Sequence, residues 1–270
     1  MPELPEVSSR ASELRAEIVG RQIASCDVLQ PKVLNVPPDR FAEAIQGARI
    51  LNATNRGKWI FVETTKGWLL VNMGMGGDIR LTAPESLPDK RRLVLRFSDG
   101  DCLSFGFWWF GYVHHVAADE LAKHAMTAGL GPDALSISEE ELAALASGRR
   151  GPIRSLLLDQ NRIAGIGNAY IHDILFLAGV HPLRQAGSLT PAEIKALRKA
   201  IRDGLEPSLL KGGAWYETDL HGRPGGFTMD ELLVGYREGK PCPRCGTTVV
   251  KLRTGSTSSF ICPSCQAPES

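Results

Sequence analysis

Two constellations in this 270-residue chain have residue types and spacing suited to chemistry. The first is the start itself, Met1-Pro2-Glu3-Leu4-Pro5-Glu6-Val7. A small second residue permits removal of Met1, which exposes a secondary amine at Pro2. An α-amino group titrates near ~7.7–8.0, so a useful fraction is neutral and nucleophilic at physiological pH. Attack of such an amine on C1′ of a nucleoside expels the base and leaves an iminium. That iminium is an electron sink: it acidifies the C2′ proton and promotes strand cleavage by elimination. Glu3, next in the chain, is placed to act as general acid. Proline at position two is common, and this short string alone does not separate a reaction centre from an ordinary start.

The second constellation is Cys242-Pro243-Arg244-Cys245 and Cys262-Pro263-Ser264-Cys265, two Cys-x2-Cys knuckles separated by 16 residues. Four thiolates at this spacing suit one tetrahedral zinc ion, with 247–261 between them able to form a hairpin. No fifth polar ligand is apparent, so the site is expected to be closed and structural. Five basic residues (Arg237, Lys240, Arg244, Lys251, Arg253) against Glu238 flank it and suggest phosphate contact. A solvated basic face is the alternative for these and for the groups Arg149/Arg150/Arg154 and Lys195/Arg198/Lys199/Arg202. Cys26 and Cys102 are isolated in apolar stretches and read as free thiols.

Stepping along the elements that must position these groups, 8–19 has helical spacing, with Ser8 or Ser9 as cap and Leu14 and Ile18 on the apolar face. From about 21 to 116, short β-branched and aromatic runs alternate with turn signals. Examples are 59–63 before Lys66-Gly67 and Leu93–Phe97 before Asp99-Gly100, the pattern of an antiparallel sandwich or barrel with one leading helix. After Gly129-Leu130-Gly131-Pro132 the pattern becomes helical. Ser138 to Glu141 opens one helix as a capping box, and others are expected at 153–158, 168–177 and 190–210. Residues 212–236 read as a loop rich in glycine and aromatics, followed by a short helix. Hydrophobic residues are 43%, charged residues 23% and net charge +1, ordinary for a globular chain. No run nears the ~18 apolar residues of a membrane span. The acidic start lacks a basic-then-apolar leader, so a cytoplasmic protein is expected, nucleoid-associated when on DNA.

Together the N-terminal string and the cysteine module resemble the formamidopyrimidine-DNA glycosylase/endonuclease VIII family. Other motifs follow in family order. Arg56-Gly57-Lys58 resembles its lysine-bearing hairpin, and Asn72-Met73-Gly74-Met75-Gly76-Gly77 its His-Leu-Gly-Met-Ser-Gly element. Asp159-Gln160 with Gly165-Ile166-Gly167-Asn168-Ala169-Tyr170 resembles its helix–two-turn–helix, and Gly239-Lys240-Pro241-Cys242 its entry to the zinc hairpin. The resemblance implies an α+β multidomain protein. Its parts would be an N-terminal antiparallel β-sandwich domain with a leading helix (1–129), a helix–two-turn–helix domain with a lesion-capping loop (130–236), and a C-terminal β-hairpin zinc finger (237–270).

It implies a bifunctional DNA glycosylase/AP lyase of base excision repair. Such an enzyme excises oxidised or ring-opened bases through a Pro2 Schiff base and cleaves the strand by β-elimination. Pro2, Glu3 and Lys58 would be catalytic; Glu6, Met75, Trp109, Phe110, Arg154 and Asn168 would bind DNA; Cys242, Cys245, Cys262 and Cys265 would hold one structural Zn2+. Met75 would fill the gap left by the extruded nucleotide, and Phe110 would wedge the duplex. Both could otherwise be core residues. Asn168 would hold a phosphate at a helix N-terminus or serve as an ordinary N-cap. The implied partner is double-stranded DNA carrying damaged bases or abasic sites, bound by an expected monomer without membrane contact. The alternatives are the same chemistry on oxidised pyrimidines, abasic sites or cross-links, and a catalytically weak DNA-damage-binding protein.

Several positions depart from the family pattern. Gly106-Phe107-Trp108-Trp109-Phe110-Gly111 stands for Asp-Pro-Arg-Arg-Phe-Gly, so Trp109 replaces the arginine that reads the base opposite the lesion. Tryptophan stacks on any base, which implies weaker or different opposite-base discrimination. Thr257, within Ser256-Thr257-Ser258-Ser259, replaces a phosphate-gripping arginine that supports δ-elimination, with Arg253 as a substitute nearby. Asn72 replaces a histidine, Asp173 a glutamate, and Arg154 a lysine, keeping charge but permitting bidentate binding.

Overall fold

The structure is a computed structural model that describes residues 1–255 and 257–268. Helix α1 (Leu4–Ile18) starts earlier than Ser8 or Ser9, because Glu3 is the N-cap and forms a reciprocal capping box with Glu6. Pro5 fits the first turn, where its missing N–H costs nothing. Ser9 lies inside the helix, its hydroxyl donating back to Pro5 O at 2.9 Å. The helix buries Leu4, Val7, Ala11, Leu14 and Ile18, the i, i+3, i+4 spacing of one face.

Strand β1 (Ile23–Val28) is followed by a helix the sequence reading missed, α2 (Pro38–Ile45), which buries Phe41 and Ile45. Then come β2 (Ile50–Arg56), β3 (Trp59–Thr64), β4 (Gly67–Asn72), β5 (Asp78–Thr82), β6 (Leu93–Phe97), β7 (Cys102–Gly106) and β8 (Tyr112–Val116). They form two four-stranded antiparallel sheets, ordered β1-β6-β7-β5 and β2-β3-β4-β8. The β-sandwich core joins Val7, Leu14 and Ile18 of α1 and Phe41 of α2 to Ile60, Val62, Leu69, Leu93, Leu95 and Phe105. Cys26 and Cys102 are free thiols, the first half-buried and the second buried.

The chain divides into two compact units, Met1–Gly129 with Lys211–Gly226, and Leu130–Leu210 with Phe227–Ser270. The segment 211–226 pairs with β5 through one backbone bond and closes on itself through another. Leu81 N donates to Leu220 O at 3.0 Å, and Gly226 N donates to Lys211 O at 2.8 Å. Side chains of α1 complete the attachment: Glu13 accepts from Leu220 N at 3.0 Å, and the fully buried Arg10 donates to Thr218 O.

The second unit holds α3 (Glu139–Ala146), α4 (Ile153–Leu158), α5 (Ile171–Ala178) and α6 (Pro191–Leu210). Ser138 and Glu141 form the expected capping box on α3, and Thr190 with Glu193 makes the same reciprocal pair before α6. Between α4 and α5, one side chain organises the turns. Gln160 Nε2 donates to Leu158 O and Ile166 O, and its Oε1 accepts from Gly165 N at 2.9 Å. Strands β9 (Val250–Thr254) and β10 (Thr257–Ile261) form the expected hairpin between the cysteine knuckles.

Candidate active site

In the first unit the Pro2 side of the chain start is buried, as are Glu3 and Glu6. Both oxygens of Glu6 are engaged internally: Oε2 accepts from Glu3 N at 2.8 Å and Oε1 from Ala214 N at 3.1 Å. Glu6, expected among the DNA-binding residues, is 1% exposed and frames the start of α1 against segment 211–226. Lys58 sits in the two-residue turn joining β2 to β3, where Arg56 pairs with Trp59 and Gly57 takes φ +55°. Only a residue without Cβ adopts that φ readily. Burial lowers the Lys58 pKa, opposed by the carboxylates of Glu3 and Glu6. The fold therefore brings Lys58 into electrostatic range of Glu3 and Glu6, next in the chain to the buried Pro2, and a lysine with reduced pKa transfers protons more readily near neutrality.

Asn72 connects this cluster to the next loop. Its Nδ2 donates to Lys58 O at 3.2 Å, and its Oδ1 accepts from Gly74 N at 3.0 Å. Beyond it the Met75 loop is zipped to the aromatic loop: Met75 N donates to Trp109 O at 2.8 Å, and Trp108 N to Met75 O at 2.9 Å. Gly74 is required there, since a Cβ would lie 2.3 Å from Trp109 O. Phe110 takes φ +57°, a left-handed conformation that costs a bulky residue free energy. Met75 is 44% exposed and Trp108, Trp109 and Phe110 about two-thirds exposed. The core reading of Met75 and Phe110 is thereby overturned: these are apolar groups held out to solvent on a fixed backbone.

Sequence reasoning missed Glu217, in the segment 211–226. It is 7% exposed, and burial raises its pKa to about 7, opposed by the N-terminal ammonium and Arg10 and assisted by Glu6 and Asp78. No local signal marks it, because its neighbours come from the opposite end of the unit's sequence.

In the second unit Arg154 is buried and its Nη2 donates to Asn168 Oδ1 at 2.7 Å, while its buried Nε has no protein partner. Asn168 is exposed and precedes the N-cap of α5, Tyr170, by two residues, so it is not itself that cap. Asp173 accepts from three successive amides, Leu233 N, Val234 N and Gly235 N, at 2.8–2.9 Å. This fixes the chain leading to the cysteine module, and the shorter acid still reaches all three donors. Thr257 opens β10 in an exposed position, and the exposed Arg253 pairs with Ser258 across the hairpin. Ser256 lies outside the described residues.

The sulfurs of Cys242, Cys245, Cys262 and Cys265 lie within 4.8 Å of one another. Contacts of 3.4 Å for Cys245–Cys262 and 3.9 Å for Cys242–Cys265 bracket the ~3.8 Å expected of tetrahedral thiolates with Zn–S near 2.3 Å. Arg244 N donates to Cys242 Sγ at 3.3 Å, which stabilises a thiolate.

Three family profiles match the chain: the formamidopyrimidine-DNA glycosylase N-terminal domain at 1–106, the formamidopyrimidine-DNA glycosylase H2TH domain at 129–218, and the zinc finger found in FPG and IleRS at 239–268. A formamidopyrimidine-DNA glycosylase of Chloroflexus aurantiacus is 37% identical, with 98% of both chains covered. That of a Roseiflexus species is 38% identical over 98% of this chain and 100% of its own. The chain belongs to the formamidopyrimidine-DNA glycosylase family. Among solved structures, Lactococcus lactis Fpg with abasic-site DNA superposes at TM-score 0.91, with 26% identity over 98% of this chain and 100% of that one. MutM with carbocyclic 8-oxo-G DNA superposes at 0.90, with 28% identity over 99% and 100%. This formamidopyrimidine-DNA glycosylase family member is thus a DNA glycosylase of base excision repair, and its cysteine module is the site of one structural zinc ion. No described helix is long and apolar enough to cross a membrane.

Proposed function

We propose that this glycosylase excises oxidised or ring-opened bases from double-stranded DNA through a Schiff base on Pro2, and cleaves the strand by β-elimination. The observation that carries this reading is the burial of the Pro2–Glu3 start within electrostatic reach of Lys58. With Met1 removed, the Pro2 nitrogen uses its lone pair to form a bond to C1′. The glycosidic bond breaks, its electron pair leaves with the base, and the base takes a proton from Glu3. Loss of the remaining N–H proton and opening of the C1′–O4′ bond give the iminium, with O4′ protonated. The iminium then allows loss of the C2′ proton and departure of the 3′-phosphate. Lys58 binds the backbone near the lesion and assists proton transfer.

DNA as partner is supported by structural relatives described as complexes with DNA containing an abasic site or Fapy-dG. Met75 fills the vacated space and Phe110 wedges the duplex, which their exposure on a rigid backbone supports. Arg154, with an unpartnered buried Nε beside exposed Asn168, suits a phosphate oxygen. Thr257 carries no fixed charge, so β-elimination products outlast δ-products; product ends on a sequencing gel check this, and a dominant δ-product refutes it. The enzyme acts as a monomer on nucleoid DNA in the cytoplasm.

Borohydride trapping on an abasic-site duplex tests the main claim. The expected result is a covalent adduct whose cross-linked peptide begins at Pro2. Absence of an adduct, or one mapping to Lys58, overturns it.

A further inference from the structure

Strand register gathers four elements at one end of the β-sandwich. In one sheet Arg56 pairs with Trp59, Trp59 with Asn72, and Asn72 with Tyr112. In the other, Asp78 pairs with Gly106, Phe105 with Leu93, and Leu93 with Val28. The strand orders β2-β3-β4-β8 and β5-β7-β6-β1 then set the lateral succession. First comes the Lys58 turn, then the Met75 loop between β4 and β5, then the aromatic loop 107–111 between β7 and β8. The end of β1 and the start of β6 come last.

Between that last element and the aromatic loop lies a cavity of about 280 Å³, lined by Gln30, Lys32, Arg92, Trp108, Phe110 and Tyr112 among others. Its walls are fixed by bonds. Leu29 N and Gln30 N both donate to Arg92 O, at 2.9 and 3.0 Å, and Arg92 Nε donates to Phe107 O at 3.1 Å. Asn35 holds both backbone groups of His115, which ties the chain after Lys32 to β8. Trp108 is packed so closely on Gly76 that a Cβ there would lie 2.6 Å from the indole. The charge is less settled than the walls. Arg21, Arg80 and Arg96 of the same unit each pair with an aspartate. Lys32 and Arg92 have no carboxylate partner among the described residues, and of the Arg92 donors only Nε is bonded.

Two uncompensated cations on a rigid, partly aromatic cavity suit a phosphodiester, whose oxygens accept charge-assisted bonds while the attached sugar meets the rings. The lateral succession selects the strand. In the proposed complex Lys58 takes the backbone near the lesion and Phe110 enters the duplex, and the cavity lies on the far side of Phe110 from Lys58. Resting on that double-stranded reading, we infer that the cavity holds a backbone phosphate of the strand opposite the lesion, bound by Arg92 and Lys32. A phosphate contact carries no base identity, so it adds affinity for the duplex without restoring the discrimination that Trp109 forgoes.

The test is binding, measured by fluorescence anisotropy over a range of salt, with DNA carrying a tetrahydrofuran abasic analogue. Two forms are compared, the duplex and the damaged strand alone. Arg92→Gln and Lys32→Gln should each weaken duplex binding by about tenfold and lower its salt slope by about one, with no change on the single strand. Neutral methylphosphonates are then placed one at a time in the undamaged strand. At one position wild type should lose about tenfold and Arg92→Gln nothing further. No loss on the duplex, an equal loss on both forms, or an interacting position found only in the damaged strand overturns the inference and leaves Pro2 chemistry untouched. Wild type that binds the single strand as tightly as the duplex overturns the double-stranded reading, and the inference with it. Lys32 is exposed, so Lys32→Gln decides the matter should Arg92→Gln not fold.

Discussion

At the residue scale, the departures from the family pattern act through the kind of contact each side chain can make. Trp109 is two-thirds exposed beside an equally exposed Trp108, so the loop presents stacking area where an arginine would present directed donors. Stacking energy varies little with the base, so discrimination opposite the lesion should be weak. Trp109→Arg is expected to increase the ratio of cleavage rates between cytosine and adenine opposite one lesion by about tenfold, the lower range of a bidentate base contact. Single-turnover rates on the two duplexes measure it, and an unchanged ratio refutes the stacking account. Sequence comparison located Trp109, but the exposure of Trp108 became visible only with Met75 and Trp109 joined by backbone bonds.

At the element scale, two devices hold parts of the second unit in place. The zinc hairpin packs Cys242, Val249 and Cys262 against Phe176 of α5, and Gln266 ties Cys262 N to Val180 O. A module of about 30 residues has too little core to fold without its metal. Cys262→Ser, or chelation, should lower bound zinc from one ion to none, expose Phe176 and weaken DNA binding at least tenfold. Metal analysis and DNA titration check this; full affinity without zinc would contradict it. The second device is His172, whose Nδ1 faces Phe260 N at 3.4 Å in an aromatic cluster with Tyr236. Burial, with Arg154 nearby, lowers its pKa to about 4, so the folded protein holds it neutral. Protonation therefore favours the unfolded chain, and the stability His172 provides is present above about pH 6.5 and lost as pH falls toward 4. His172→Asn, whose Oδ1 can replace Nδ1, should remove roughly 3 kcal/mol of this pH dependence. Urea melts of both proteins at pH 7 and 4.5 measure the difference, and parallel losses would refute it.

At the scale of the whole molecule, the chain's order and its units do not coincide, since 211–226 belongs with 1–129. Glu6 is one fastening of that return, accepting from both Glu3 N and Ala214 N. Glu6→Leu leaves two buried N–H groups unpaired and should cost on the order of 2–5 kcal/mol. Limited proteolysis should then cut within 211–226 faster than in wild type, and an unchanged cleavage pattern would show that the other fastenings suffice. What the amino-acid sequence determined by itself was set by short separations, though α2 escaped it. The zinc knuckles are set by Cys-x2-Cys spacing, and the caps at Ser138 and Thr190 by residues three apart. The bounds of α4 also needed no distant partner. Even here the start of α1 escaped, since glutamate is an uncommon cap and Ser8 and Ser9 offered the usual side chain. The tertiary structure alone decided burial and electrostatic neighbourhood: Glu217 beside an amine more than 200 residues away, Glu6 turned inward, and Lys58 partly desolvated. A pKa depends on distance and dielectric, and neither is encoded in the order of the residues until the chain has folded.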